Sequence, residues 1–416
     1  MNTYKQKIVV MGLGYIGLPT ASMLATKGHA VVGVDINNST VDTINSGNIH
    51  IVEPDLDILV RSAVNSGNLK ASLQPEEADT FILAVPTPFL NDDSSNEKIP
   101  DLSYVEAAAK AIAPFLKEGN LVILESTSPV GSTEQVRNII QDSRPDLFSS
   151  DFNTQNSTLI YISHCPERVL PGNILRELVD NDRIIGGINR ASAVKAQDLY
   201  KTFCSGTILL TDSRTAELAK LVENSYRDVN IAFANELSLI CDRLDINVWE
   251  LIELANRHPR VNILQPGPGV GGHCIAVDPW FIVSAAPEET NLIRAAREVN
   301  DFKPQWVVEK VKAKADRFKV PVIGCLGLAF KANIDDLRES PALEITRTLI
   351  GSGVGRVMAC EPNANGNFDE FLLYKLEEVL RESDILLALV NHEEFKEIDR
   401  ELLKEKVVID TCGVWR

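Results

Sequence analysis

A short apolar strand, Lys7–Met11, runs directly into Gly12-Leu13-Gly14-Tyr15-Ile16-Gly17, and no other stretch of the chain limits its fold so tightly. Leu18–Lys27 reads as a helix and Ala30–Val34 as a second strand, which ends at Asp35, 18 residues after Gly17. Strand, glycine turn, helix and strand form the βαβ unit from which a doubly wound parallel sheet is built. Gly12 permits the tight turn, Gly14 lets a pyrophosphate approach the backbone, and Gly17 lets helix and strand pack closely. The helix N-terminus then offers free amide N–H groups and a favourable dipole to the phosphates. Asp35 is placed to accept from the adenine-ribose hydroxyls. Ile36-Asn37-Asn38 supply no arginine for a 2′-phosphate, so NAD is expected rather than NADP.

The alternation continues. Strand Thr80–Val85 enters Pro86-Thr87-Pro88, a polar loop runs to Pro100, and a helix near Leu102–Ala113 precedes the strand Leu121–Leu124. That strand ends at Glu125-Ser126-Thr127-Ser128-Pro129. Thr87 and Thr127 therefore fall beyond carboxyl ends of strands, where α/β sheets bind ligands, although either could equally cap a helix or be satisfied within its own loop. Gln141–Ser157 is polar and expected to be a surface loop. Strand Leu159–Ser163 then delivers His164-Cys165-Pro166-Glu167-Arg168-Val169-Leu170-Pro171-Gly172, where a carboxylate and a guanidinium beside prolines look more like a site than a solvated turn.

From Thr211 to Asp242 the breakers vanish. Ala219, Val222, Tyr226, Val229, Phe233, Leu237 and Ile240 recur at spacings of three and four, predicting one long amphipathic helix. Lys220, Asn224 and Arg227 make a stripe of their own, because residues three, four and seven apart share a face. A second helix, Val248–Arg257, leads to His258 and Arg260. Beyond them Gln265–Val283, QPGPGVGGHCIAVDPWFIV, is too dense in glycine and proline to be helical at its start. It presents Cys274 on a loop whose backbone can approach a ligand. A thiolate is the strongest ordinary side-chain nucleophile near neutral pH. Paired with a hydride acceptor, it is the minimal equipment for oxidising an aldehyde to an acid.

A new α/β unit begins near Val320. Strand Val322–Leu326 enters Gly327-Leu328-Ala329-Phe330-Lys331, Ser340-Pro341 starts a helix through Leu349, and strands Arg356–Cys360, Ile385–Val390 and Val407–Asp410 follow. Lacking a full glycine fingerprint, this half suits a mononucleotide or nucleotide sugar. Lys331 and Arg338, after its first strand, suit phosphate, with simple solvation as the alternative for each. The expected fold is thus α/β, with two Rossmann-like doubly wound domains (1–210 and 316–416) joined by a central helical domain (211–315) containing one long helix.

Charge and cysteine usage narrow the partners. A net charge of −17 disfavours nucleic acid and anionic membranes. Seven cysteines without paired spacing argue for a reducing compartment, and with six histidines they show no metal-ligand spacing. The chain shows no signal peptide and no apolar run of membrane-spanning length, so a cytoplasmic protein is expected.

Together GLGYIG, VPTP, ESTSPVGST, CPERVLPG, ELAKLVENSYRDVNIAFANE, GVGGHCIAVDP and GLAFKANIDDLRESP resemble the UDP-sugar 6-dehydrogenase family along essentially the whole chain. The resemblance implies a four-electron oxidation of a sugar C6 alcohol to a carboxylate with NAD, through a thiohemiacetal and a thioester. It makes Cys274 the nucleophile and Lys220 the acid/base lysine. Arg168, Val169, Asn224, Arg227, His258, Arg260, Gly271, Phe330 and Lys331 become contacts to the UDP-sugar. Tyr15, Ile16, Asp35, Thr87, Thr127 and Arg338 become contacts to NAD, and Asp278 and Glu167 handle protons and water. A homodimer, or an oligomer of dimers, is implied, with Arg260 reaching the neighbour's substrate. NRHPRVNILQPGPGVGGHCIAVDPWFIV and the closing GVWR look most like the branch acting on UDP-N-acetyl-D-mannosamine, with UDP-N-acetylglucosamine and UDP-glucose as alternatives. A two-electron hydroxyacid dehydrogenase would need neither the cysteine loop nor the second α/β unit, and an idle NAD sensor would need neither Cys274 nor Lys220.

Overall fold

The structure, a computed structural model, describes residues 5–90, 98–148, 159–170, 172–272, 274–364 and 370–416. Contacts divide the chain into two compact units, 1–221 and 222–416.

The first unit is built on an eight-stranded sheet whose strands are β1 (Lys7–Met11), β2 (Ala30–Val34), β3 (Leu69–Ser72), β4 (Thr80–Leu83), β5 (Leu121–Leu124), β6 (Tyr161–His164), β7 (Arg183–Gly187) and β8 (Ile208–Asp212). They lie in the order β3-β2-β1-β4-β5-β6-β7-β8, parallel except between β6 and β7. Alternation within single strands explains why both faces are covered. Ile8 and Val10 enter one core with the helices Gly17–Thr26 and Arg190–Tyr200, whereas Val9 and Met11 enter the other with Ser103–Ile112 and Ser132–Ser143. A strand buried on both faces must be apolar throughout, which is how Ile8–Met11 of β1 and all of β5 read. The turn after β1 is forced by space as well as conformation. Gly12 has φ +89°, and a Cβ on Gly17 would lie 1.9 Å from the Gly12 carbonyl oxygen.

The second unit holds a four-stranded parallel sheet of β9 (Val322–Leu326), β10 (Arg356–Cys360), β11 (Ile385–Ala388) and β12 (Val407–Asp410), ordered β10-β9-β11-β12. Its other helices include Val248–Ala255, Asp278–Ala285, Pro341–Ser352 and a 25-residue helix, Asn291–Ala315, that periodicity did not reveal. Ser340 accepts from Leu343 N–H and caps the helix that Pro341 opens, as Ser-Pro at that place predicts.

Two expectations are corrected. The long helix spans Ser213–Leu244, not Thr211–Asp242, because Thr211 and Asp212 finish β8 and the Asp212 carboxylate caps the helix by accepting from Thr215 N–H at 2.9 Å and Thr215 Oγ1 at 2.7 Å. Gln141–Ser143 complete the helix Ser132–Ser143, and Pro145–Leu147 form a 3-10 turn; residues 149–157 of that expected loop lie outside the described residues. Periodicity does not say which face of the long helix is inward. Its apolar row is exposed at Val222, Tyr226, Phe233 and Ile240, while Asn224, Asp228 and Asn235 are buried. No helix among the described residues is long and apolar enough to cross a membrane.

Gly17→Ala is expected to destabilise the protein by at least about 2 kcal/mol, since backbone cannot rotate away from the added methyl. Gly14→Ala, whose methyl would meet nothing within 4 Å, should stay within about 0.5 kcal/mol of wild type. Thermal denaturation of the two variants side by side checks both.

Candidate active site

In the first unit the candidate residues follow the carboxyl ends of four neighbouring strands: Gly12–Gly17 after β1, Thr87 after β4, Thr127 after β5, and Glu167, Arg168 and Val169 after β6. The strand order reverses between β1 and β4, the crevice where open α/β sheets hold ligands. Gly14 borders open space, so the backbone there is accessible to a pyrophosphate, and the helix carrying Gly17 points its N-terminus at the same turn. Asp35 is oriented by the glycine turn and by its own loop, with Oδ2 accepting from Leu13 N–H at 3.1 Å and Oδ1 from Asn37 N–H at 2.9 Å. These residues fit a dinucleotide. Thr87 and Thr127 are brought together: Thr87 Oγ1 donates to the Thr127 carbonyl at 2.7 Å, which ties the two loops.

Glu167 is buried, and the sequence did not reveal what holds it. Its Oε1 accepts from Arg168 N–H at 2.8 Å and its Oε2 from Arg183 Nη1 at 3.2 Å. Arg183 is itself buried against the Tyr200 and Phe203 rings, 4.7 and 5.4 Å from their centroids. Tyr200 Oη donates to Glu125 Oε1 at 2.9 Å. The Arg183 guanidinium is paired with Glu167, and Glu125 lies in the same low-dielectric setting with Tyr200 Oη on its Oε1. Burial first, and Glu167 second, push the Glu125 carboxyl up to about 8. Lys220, half-buried on the long helix, also lies in this unit.

Glu217 was also missed. Its carboxylate caps the helix Ser132–Ser143, accepting from Gly131 N–H at 2.6 Å, Thr133 N–H at 2.7 Å and Thr133 Oγ1 at 2.6 Å.

In the second unit Cys274, Asn224 and Asp278 are brought together. Asn224 Nδ2 donates to Asp278 Oδ2 at 2.6 Å, and Asp278 N–H donates to the Cys274 carbonyl at 2.9 Å. Cys274 alone of the seven cysteines is exposed. Burial pushes Cys165, Cys325 and Cys360 up to about 12, and raises Cys241 and Cys412 too, so these thiols are poor sources of thiolate. The neighbouring His273 lies outside the described residues.

Gly271 and Gly272 sit against the loop that follows β9. A Cβ on Gly271 would be 2.3 Å from Glu339 O and 3.0 Å from Phe330 Cβ. Lys331 beside Phe330 is exposed, and the Arg338 guanidinium is clasped by Asp336 at 2.8 and 2.6 Å. The β9 loop is braced from below by a pair that the sequence did not announce. Glu361 Oε2 accepts from Leu328 N–H at 2.6 Å and Ala329 N–H at 3.0 Å, and lies 3.2 Å from Nε2 of fully buried His392. Asn333 N–H donates to His392 Nδ1 at 3.0 Å, which places the ring proton on Nε2, facing Glu361.

Arg227 is exposed although Asn224, three residues away, is buried, so the expected polar stripe is split between two environments. His258 and Arg260 occupy an exposed turn, where Arg260 N–H donates to His258 Nδ1 at 3.3 Å. Asn256 clamps that turn, accepting from Ile263 N–H at 2.7 Å and donating to the Ile263 carbonyl at 3.0 Å.

The sequence matches the UDP-glucose/GDP-mannose dehydrogenase family over its NAD binding domain (residues 6–204), central domain (214–302) and UDP binding domain (324–416). It is 59% identical over 411 residues to an NDP-N-acetyl-D-galactosaminuronic acid dehydrogenase of Ralstonia nicotianae, covering 98% of this chain and 96% of the relative. It is 57% identical over 404 residues to a UDP-N-acetyl-D-mannosamine dehydrogenase of Campylobacter jejuni, covering 96% and 98%. The solved structure of a UDP-N-acetyl-mannosamine dehydrogenase from Staphylococcus aureus superposes with a TM-score of 0.86 at 44% identity, covering 98% of this chain and 95% of that one.

The Glu125 cluster makes a pH prediction. The unfolded chain loses this proton near 4.5, while the fold keeps it to about 8, so in that window the native state binds more protons and stability falls as pH rises. Glu125→Gln keeps the shape and has no proton to lose. Its melting temperature should gain on wild type between pH 5.5 and 8, and parallel curves would show that Glu125 ionises normally.

Proposed function

The chain belongs to the UDP-glucose/GDP-mannose dehydrogenase family, and on that premise we propose that it oxidises C6 of UDP-N-acetyl-D-mannosamine from alcohol to carboxylate. It is an NAD-dependent oxidoreductase, and NAD, when bound, supplies the hydride acceptor for each of the two oxidations. The observation that carries the reading is the exposed Cys274 on its glycine loop, in a chain so similar over nearly its full length to a dehydrogenase of that sugar.

The roles follow from the chemistry. As hydride leaves C6, the hydroxyl proton must go to a base, and Lys220 and Asn224 supply donors for the oxygen that remains. Cys274 Sγ adds to the aldehyde carbon and the oxygen takes a proton, giving a thiohemiacetal. Loss of the second hydride and of the hydroxyl proton leaves a thioester. A water directed by Glu167 adds its oxygen to the carbonyl and Sγ departs, so two hydrides and one water account for the acid. Asp278 holds Asn224. The Gly12–Gly17 turn, including Tyr15 and Ile16, with Asp35, Thr87, Thr127 and Arg338, serves the dinucleotide. Arg168, Val169, Arg227, His258, Arg260, Gly271, Phe330 and Lys331 serve the UDP-sugar, gathering positive charge in a chain of net −17. Domains at 1–210, 211–315 and 316–416 divide these tasks. The free thiols fit a cytoplasmic setting.

The Ralstonia relative favours a second reading, in which the sugar is an N-acetylgalactosamine. Rates on UDP-N-acetylmannosamine, UDP-N-acetylgalactosamine, UDP-N-acetylglucosamine and UDP-glucose decide between them. We expect kcat/KM to be highest on the first by about tenfold or more, with two NADH per sugar. A preference for another sugar, or a stop at one NADH, overturns the reading. Cys274→Ala should lower acid formation roughly a thousandfold or more while both ligands still bind.

The working unit is a homodimer that shares Arg260. The long helix leaves Val222, Tyr226, Phe233, Ile240 and Leu244 exposed, with the middle three at heptad spacing, a seam that a second copy would bury. Mixing Cys274→Ala with Arg260→Ala under subunit exchange should restore activity above both parents, because each mixed dimer regains one whole site. No recovery in demonstrated heterodimers means that Arg260 acts within its own chain.

A further inference from the structure

The loop that carries Cys274 is tied near both ends to one buried face of the long helix. At the cysteine end the tie is Asn224, through Asp278. At the proline-rich end it is Asn235, a residue with no role in the chemistry above. Asn235 is fully buried, and its Oδ1 accepts from Gly267 N–H at 2.8 Å. Its Nδ2 donates to Asn300 Oδ1 at 2.8 Å, and Asn300 Nδ2 donates to Asp228 Oδ1 at 2.8 Å and to the Asp228 carbonyl at 3.1 Å. Arg297 Nη1 completes the series on Asp228 Oδ1 at 2.6 Å. Asp228, Arg297 and Asn300 are all at least 98% buried.

The direction of this relay is set at both ends. A backbone N–H only donates, and a carboxylate paired with arginine only accepts. Neither asparagine between them can flip its amide without setting two acceptors or two donors face to face. Asn235 therefore presents an acceptor to Gly267 in one orientation. Asn224 and Asn235 stand eleven residues apart on the helix, three turns along the same face and about 16 Å of rigid rod. Between the two ties the loop is seated closely. A Cβ on Gly269 would lie 2.9 Å from Pro341 Cβ and 3.1 Å from Pro304 Cγ, and Pro304 is one turn beyond Asn300.

We propose that Asn235 is a positioning residue for the nucleophile: by holding Gly267 N–H it sets the loop so that Cys274 Sγ meets the C6 aldehyde before that aldehyde escapes. The inference rests on the thioester route proposed above. The step it serves forms one C–S bond: Sγ gives its electron pair to C6, and the carbonyl π pair moves to oxygen, which takes a proton. The first oxidation does not use sulfur. Displacing Sγ by about 1 Å slows capture on the order of a hundredfold, while leaving aldehyde formation largely intact.

The test is a partition rather than a rate. Wild type, Asn235→Ala and Asn300→Ala are run with UDP-sugar, excess NAD and hydroxylamine, measuring NADH per sugar, aldehyde oxime by mass spectrometry, and KM for UDP-sugar. For Asn235→Ala we expect oxime to rise at least about tenfold and NADH per sugar to fall from two towards one, with KM little changed. Asn300→Ala keeps the Gly267 bond but frees the Asn235 amide, and should leak to a lesser degree. A purely structural role removes active molecules and slows both oxidations alike, leaving the ratio at two. Soluble Asn235→Ala with no oxime above wild type overturns the proposal. If that variant does not fold, Asn300→Ala decides by the same ratio. Wild type that itself releases aldehyde defeats the reaction reading, and the proposal falls with it.

Discussion

The inward face of the Ser213–Leu244 helix is the constraint on which the second unit depends. Asn224, Asp228 and Asn235 stand on it at spacings of four and seven, all buried. Leaving such a group unpaired costs about 1–3 kcal/mol, so each must find its partner, and each partner belongs to a different segment. Asp278 comes from the cysteine loop's far end, Arg297 and Asn300 from the helix Asn291–Ala315, and Gly267 from the loop's near end. Replacing such a network by hydrocarbon often adds stability, so its value lies in specifying a single arrangement. Asn224, Asp228 and Asn235 take inward positions beside Leu221, Ala234 and Cys241, while Val222, Tyr226, Phe233 and Ile240 stand outward.

That inversion also marks the limit of what the sequence disclosed. Periodicity finds a helix because neighbours three and four apart are local, and it found this one to within two residues at either end. It cannot say which face is inward, because that depends on Arg297 and Asn300, more than sixty positions away. The glycine turn after β1 was legible for the opposite reason: strand, turn and helix are contiguous, and Gly17 needs its space chiefly because of Gly12. The candidate members of the site could be named from short motifs. The residues that hold them could not. Arg183 with Glu167, Glu217 with Thr133, and His392 with Glu361 are 16, 84 and 31 positions apart, and none announces its partner.

Several of those supporting residues share one physical device. Glu217 receives the amides of Gly131 and Thr133, Glu361 those of Leu328 and Ala329, and Glu53 those of Gly172 and Ile174 at 2.8 and 2.7 Å. In each case a buried carboxylate acts as a built-in anion for backbone N–H groups that a loop or helix end leaves open. Part of the chain's acidity is therefore internal scaffolding. Using carboxylates in this way also decides which helix ends remain open: the helix Ser132–Ser143 is filled from within, and the turn at Gly14 is left clear.

The distribution of thiols bears on how the molecule meets oxidants. Six cysteines are buried or half-buried, and one stands in solvent. Peroxide or a mixed disulfide will therefore find position 274 first, and conversion to a sulfenic acid there would block the nucleophilic attack proposed for it without disturbing any packed core. Damage of this kind is a single-hit event. It leaves a folded protein with its cofactor turn intact, and a thiol reductant can reverse it as long as the sulfur has gone no further than the sulfenic acid or a disulfide.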